Sequence, residues 1–363
     1  MFLAHSPFPC LAVNKEEKKK YYRQLTVNLL RRFVWKRTSG KNFRGPLRSI
    51  VFLVSEHYGD VILLTPVIRC LKGAFPDMEI HAVAFKRHIV EFLKRDANIT
   101  GVHFAKGDYF VYARDVLLRR FDVLFNPKDA PSFNFLLHSA LIHASFKVGH
   151  VHPNHEGLFD HLIAMEYFSP VVQRNCALLD VLHVSGTECR PYLPPMPVSE
   201  TMRKFLKGME CGAFIGINIS ASMAERFWQQ EKWGELLQAF KGERFVVLAD
   251  PKDRDKKLVL EGSHPNVVAT PVTGNVFEAG EIIRCLKLLV SLDTSLVHIA
   301  ACYEVPVVAL FRNDRESMSR FPPLSRESDM VVSPGPRIDA LEVVDVKDSV
   351  ERMLGRIQRL VVF

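Results

Sequence analysis

No stretch of the chain reaches the roughly 18 consecutive apolar residues that a membrane-spanning helix needs. No two cysteines stand as Cys-x-x-Cys, which removes the usual zinc ribbon and redox dithiol. The seven cysteines (Cys10, Cys70, Cys176, Cys189, Cys211, Cys285 and Cys302) are scattered and odd in number. That argues against a disulfide framework and fits a reducing cytosol. A Gly-rich phosphate loop ending in Gly-Lys-Ser/Thr is missing, which counts against a nucleoside triphosphatase. No Gly-x-Gly-x-x-Gly follows a candidate first strand, which weakens a dinucleotide oxidoreductase. The opening MFLAHSPFPCLAVNKEEKKK places its apolar run before its positive charges, the reverse of a secretory signal. The expectation is a cytoplasmic protein with no spanning anchor.

What is present is ordinary globular material. Apolar residues make up 48% and charged ones 24% of 363 residues, enough for two domains with cores of their own. Net charge is +8, a field that favours anionic partners. It is concentrated early: residues 15–41 hold ten cations and two glutamates, interleaved with Tyr21, Tyr22, Leu25, Leu29 and Leu30. A basic amphipathic helix making peripheral contact with an anionic membrane is one reading. A solvated extension packing a few apolar residues on the body is the other. Nucleic acid is not expected as a partner, since no recognised binding motif follows.

From Ser49 the pattern alternates strand, turn and helix. Ser49-Ile-Val-Phe-Leu-Val-Ser55 is a β-branched and apolar run suited to a strand buried on both faces. A helix is predicted over Gly59–Leu71, a strand over Met78–Ala84, a helix over Arg87–Lys94 and a strand over Phe121–Phe125. A proline-rich break precedes Ala213–Ile219, a second first strand, which is followed by Phe245–Leu248, Leu288–Leu292 and Val305–Phe311. The expected fold is therefore α/β, two facing Rossmann-like doubly wound domains. The expected division is a basic extension (1–46), an N-terminal Rossmann-like domain (47–190), a linker (191–212), a C-terminal Rossmann-like domain (213–335) and a closing helix (336–363). Open sheets of this kind bind ligands at their carboxyl edges.

Three segments at those edges could carry chemistry. Glu56-His57-Tyr58-Gly59-Asp60 follows the first strand, and Asp60 is either a helix N-cap or a catalytic carboxylate. Ser291-Leu-Asp293-Thr294-Ser295 ends a buried strand before a small-residue helix whose free amides suit a diphosphate. His298 lies one turn into that helix, where a lone histidine is ordinarily a satisfied core residue. Asn218-Ile-Ser220-Ala-Ser222 leads to Arg226, which is either a surface cation or a partner for a leaving diphosphate. Asp253-Arg254-Asp255 spells the Asp-x-Asp of metal-dependent transferases but opens a helix, so no metal site is expected there.

Together these motifs resemble the heptosyltransferases of glycosyltransferase family 9, from about Arg48 to Pro334. Gly59-Asp60-Val61-Ile62-Leu63-Leu64-Thr65-Pro66 through Phe75-Pro76 matches the family's opening signature. Ser291 to Ala301 with Val305-Pro306 matches its later one, about 230 residues on. The resemblance implies a GT-B architecture and an inverting, metal-independent transfer of heptose from ADP-heptose to a lipid-linked lipopolysaccharide core, with no cofactor. It implies Asp60 as general base. The donor would be bound by Arg226, Asp253, Asp293, Thr294, Ser295 and His298, with His57, Gly59, Ser220 and Ser222 lining the cleft. It also implies a cytoplasmic enzyme peripheral to the inner face of the bacterial inner membrane. The chain departs from the family pattern at Glu56-His57, at Ser295 and Arg312 (each in place of a common glycine), and at Ala249-Asp250. A transferase of another nucleotide sugar, or a non-catalytic descendant that binds nucleotide or lipid, are the alternatives those departures raise.

Overall fold

The computed structural model describes residues 37–130, 132–185 and 190–361, together with 21, 22, 24, 25, 27–30 and 32. Two six-stranded parallel sheets organise them. The first runs β3-β2-β1-β4-β5-β6, with β1 Ser49–Val54, β2 Glu79–Ala84, β3 Gly101–Phe104, β4 Arg120–Phe125, β5 His143–His150 and β6 His161–Ile163. The second repeats that order as β12-β11-β10-β7-β8-β9. Its strands are β7 Phe214–Asn218, β8 Arg244–Leu248, β9 Val267–Val268, β10 Leu286–Leu292, β11 Val307–Phe311 and β12 Ser328–Val332. In each sheet the chain starts in the middle, winds outward, then reverses. The turns where it reverses, after β1 and β4 and after β7 and β10, lie on the carboxyl edge, where ligands bind such folds. The expected pair of doubly wound α/β domains is what forms.

The central strands β1, β7 and β11 are buried at every position, as expected when helices cover both faces of a parallel sheet. On one face of the first sheet lie α1 (Tyr58–Ile62), α2 (Thr65–Ala74), α3 (Arg87–Leu93) and, further along the chain, α6 (Val171–Val181). The other face carries the helical residues between 21 and 32, then α4 (Tyr109–Tyr112, continuing as a π-helical turn through Leu117) and α5 (Phe133–Leu141). α7 (Glu200–Gly208) leads into the second sheet, which α8 (Gln230–Ala239), α9 (Arg254–Ser263), α10 (Val276–Arg284), α11 (Ser295–Cys302), α12 (Arg315–Arg320) and α13 (Val343–Val361) surround. The two halves meet through apolar contact as well as polar: Phe92 of α3 stacks on Phe277 of α10, ring centroids 5.2 Å apart.

Two expectations are corrected. The single helix predicted over Gly59–Leu71 is two, because Pro66 has no amide to continue the ladder and its fixed φ starts a new helix instead. Thr65 closes the joint by donating its hydroxyl to the Ile62 carbonyl at 2.7 Å. The cysteines are not all unpaired either. Cys211 and Cys285 form a disulfide with Cα atoms 4.3 Å apart. They are 74 residues apart in sequence, but each lies just before a strand, and those strands, β7 and β10, are neighbours.

Phe52, fully buried in β1, meets Phe125 of β4 edge to face at 6.0 Å. Phe52→Ala is expected to cost about 3–5 kcal/mol of stability through lost burial and a residual cavity. Urea unfolding followed by fluorescence measures it; a loss below about 1 kcal/mol would show that the site collapses around the gap.

Candidate functional site

β1 ends at Val54 and the chain turns through Ser55–His57 into α1, carrying Asp60 in its first turn. Asp60 makes no capping hydrogen bond: the N-cap position is His57, and its side chain caps nothing. The capping role open to Asp60 from sequence is therefore not the one it takes. Its carboxyl is raised above the usual range, chiefly by burial. Opposing that are the charges of Lys128, His57 and Arg320 and a hydrogen bond from Ser55. A carboxylate so placed is a proton acceptor held near cations, without being locked to one of them.

The facing edge is built by β10 and α11. Thr294 caps α11, its hydroxyl accepting the Leu296 amide at 3.3 Å. The same hydroxyl accepts from Asn218 at the end of β7, at 3.0 Å, and Asn218 also reaches Ser291 at 3.0 Å. The first helical residue is Ser295, so the free amides of an eight-residue helix open at this edge. His298 is buried one turn in; burial holds it down to about 4, so the ring is neutral, and its Nδ1 has no partner among the described residues.

Asp293 stands beside these amides. Arg226 places Nη1 3.2 Å from its Oδ2 and donates to its carbonyl at 3.0 Å. Burial raises Asp293, while Arg226 and Arg312 lower it. Arg312 is itself held by Asp314 at 2.7 Å. Both guanidiniums keep a buried Nε without a hydrogen-bond partner among the described residues. Buried donors are rarely left so, and an anion at the start of α11 is the chemistry they suit.

Ser220, Ser222 and Asp253 divide. Ser220 donates to Asp253 Oδ2 at 2.7 Å and accepts the Asp250 amide at 2.9 Å. Asp253 is buried, with Lys256 2.9 Å from its other oxygen. Ser222 is exposed and brings nothing to this cluster. Asp255 is exposed while Asp253 faces inward, so the Asp-x-Asp does not gather two carboxylates at one point.

The two edges are joined. A Cβ on Gly59 would lie 3.4 Å from the His298 ring and 3.9 Å from Ser295, so the Asp60 turn rests on the start of α11. Beside it, Arg320 of α12 donates to Asp129 and to the Tyr167 carbonyl, each at 2.6 Å. Arg174 of α6 flanks the same carboxylate at 3.4 Å. The sequence patterns do not single out these four residues or Lys128, and they mark Arg312 only as a departure from the family pattern. Lys128 and Asp129 follow β4 at the carboxyl edge, so the rule that found Asp60 points to them also. Arg320 carries no such signal, because its partner is 191 residues away.

Comparison with known proteins gives one consistent result. A family described as glycosyltransferase family 9 (heptosyltransferase) matches residues 132–347. A lipopolysaccharide heptosyltransferase 3 of Escherichia coli is 24% identical over 277 residues, covering 70% of this chain and 80% of that protein. Among solved structures, a family 9 glycosyl transferase from Veillonella parvula aligns with TM-score 0.70 at 16% identity, covering 87% of this chain and all of that one. The heptosyltransferase WaaC of E. coli, solved with ADP, aligns with TM-score 0.63 at 16% identity, covering 85% and 99%.

Replacing Arg320 with Met should destabilise the protein by about 3 kcal/mol or more, since it strands part of a buried carboxylate's compensation. Chemical unfolding reads this directly. A change within about 0.5 kcal/mol, the range of ordinary surface substitutions, would mean that Arg174 alone suffices for Asp129.

Proposed function

The chain belongs to glycosyltransferase family 9, and on that premise we propose that it transfers heptose from ADP-heptose, or a related sugar from its own nucleotide sugar, to a lipopolysaccharide core acceptor. The transfer inverts the anomeric centre, needs no metal or other cofactor, and takes place on the cytoplasmic side of the membrane that carries the acceptor. The observation that carries this reading is the pair of unpartnered guanidinium nitrogens, on Arg226 and Arg312, beside the start of α11. A diphosphate supplies the oxygens they lack, and the adjoining turn presents Asp60.

The chemistry follows from that placement. The acceptor hydroxyl gives its proton to an Asp60 oxygen as its own oxygen bonds to the sugar's anomeric carbon. The bond from that carbon to the diphosphate breaks on the opposite face, and the electron pair leaves with the phosphate. Arg226, Arg312 and the α11 amides stabilise the charge that develops there, in a partly dried cleft where such interactions are strong. Asp293 orients Arg226 and accepts from sugar hydroxyls. Asp253, held by Ser220 and Lys256, is our candidate for the ribose, and neutral His298 adds no positive charge of its own to the start of the helix. His57 and Gly59 shape the acceptor side. Arg312 is the specific ground for a second reading, in which the donor is a different nucleotide sugar.

Asp60→Asn should lower kcat by about 10²–10⁴-fold, the range for removing a general base. The stabilisation of the protein by ADP should survive unchanged, because the donor side is untouched. Transfer as fast as wild type would remove Asp60 from the mechanism. A melting-temperature rise with UDP but not ADP would favour the second reading, and none with either nucleotide would sink both.

The base works only when ionised, so activity falls as pH drops through the raised Asp60 pKa. Lys128 lowers that pKa, and Lys128→Met should therefore move the acid limb of kcat/KM to higher pH. A limb that stays in place would show that another group sets it.

A further inference from the structure

Nineteen large apolar side chains are exposed among the described residues, and ten belong to the three helices and their caps on one face of the first sheet. These are the helical residues between 21 and 32, α4 and α5. None is on α1, α2, α3 or α6, which cover the opposite face. The same three helices share one core beneath: Val27, Tyr112, Val116, Phe135 and Leu136 pack together against β1, β2 and β4. Their outward sides are therefore neighbours, and a concentration of exposed apolar groups of this size marks a contact surface.

The tip of that surface is α4. Phe110 is 82% exposed and Leu118, just past its end, 81%. Tyr109 stands beside Phe110, 70% exposed. Around them are the exposed cations Lys106, Arg114 and Arg120. Asp108, which caps α4 through the Val111 amide at 3.0 Å, and Asp115, paired with Arg114 at 2.6 Å, offset two of these three charges, and Lys106 and Arg120 have no ion pair among the described residues. The first helix adds Tyr21, Leu25 and Leu29, all exposed, within the segment that holds ten cations against two glutamates. Aromatic and aliphatic groups ringed by cations complement an anionic lipid surface, where rings sit at the headgroup level and basic residues meet phosphate.

We propose that this face, led by Tyr109, Phe110 and Leu118, docks the protein on an anionic bilayer. The proposal deepens the membrane contact read from the basic N-terminus and rests on it for the partner, but it moves the apolar anchor to α4. Its position gives it a use. α4 begins just past the carboxyl end of β3, on the edge that carries Asp60 past β1, and only β2 lies between those strands. Tyr109 and Phe110 are thus about two strand spacings, near 10 Å, from the base in the plane of the sheet, while Leu118 extends the patch toward the amino edge, where β4 begins. Docking there would present the catalytic edge to a lipid-held acceptor.

Flotation of the full-length protein with phosphatidylglycerol vesicles, and with pure phosphatidylcholine vesicles, tests this. Wild type should float with the first and much less with the second, and should be released as salt rises from about 0.05 M to about 0.5 M. The double variant Phe110→Glu with Leu118→Glu should lose partitioning by at least about tenfold, since two charges replace two buried apolar groups. Both positions are exposed, so its melting temperature should match wild type, as should its transfer to a detergent-dispersed acceptor. Wild type that stays at the bottom, or a double variant that floats as well as wild type, overturns the proposal. So does a wild-type dimer in light scattering that the double variant turns into monomer, since the face would then be covered by a second copy. Flotation needs no sugar, so loss of transfer with flotation intact counts against the transferase reading alone.

Discussion

The ion pair between buried Arg320 and partly buried Asp129 is the constraint on which the cleft depends. Each residue lies at the carboxyl edge of a different sheet, and neither edge is complete without the other. Two charges out of water are costly unless the geometry repays them. Here Arg320 also donates to the Tyr167 carbonyl, and Asp129 takes a second cation in Arg174. These contacts hold α12 of the second sheet against the loops of the first, and the same approach sets the Asp60 turn on the start of α11.

That constraint also sets the electrostatics of the reacting carboxyl. Burial raises the Asp60 carboxyl and so works against its use as a base. Lys128 and Arg320, both brought by the loop-and-helix contact just described, pull it the other way. Arg320 thus acts twice, closing the seam and adding a smaller charge to that of Lys128 beside Asp60. Asp293 is treated alike on the donor side, raised by burial and lowered by Arg226 and Arg312. Each edge carries a carboxylate poised between desolvation and a cation, which is how a fold of neutral sheets concentrates reactive groups in one crevice.

How much of this the sequence carries depends on range. The strands of both sheets can be read from β-branched runs, since a strand buried on both faces needs no alternation to declare itself. Asp60, Asp293, Thr294 and Arg226 can be read because each follows a strand within a few residues, and the edge rule is local. The split between α1 and α2 turns on a single proline inside an otherwise periodic stretch. The Arg320–Asp129 bridge, the Cys211–Cys285 pair and the burial that raises Asp60 are set by which strands become neighbours. No window of sequence contains that information. Ser222 shows the converse: it has the right residue type and spacing, yet the turn leaves it in solvent.

The departures from the family pattern take different meanings once placed. Ser295 stands for a common glycine, and its Cβ lies 3.9 Å from where a side chain on Gly59 would begin, an ordinary packing distance, so the serine fits the seam without a clash. That change is absorbed by packing and leaves the helix amides free. Arg312 instead adds a guanidinium beside Asp293, and its partner Asp314 caps α12, the helix that holds Arg320. An added cation at that point strengthens the positive field there, while the carboxylate it flanks is the one proposed to meet sugar hydroxyls. On that reading the substitution leaves the diphosphate side intact and bears on the part of the donor that differs between sugars.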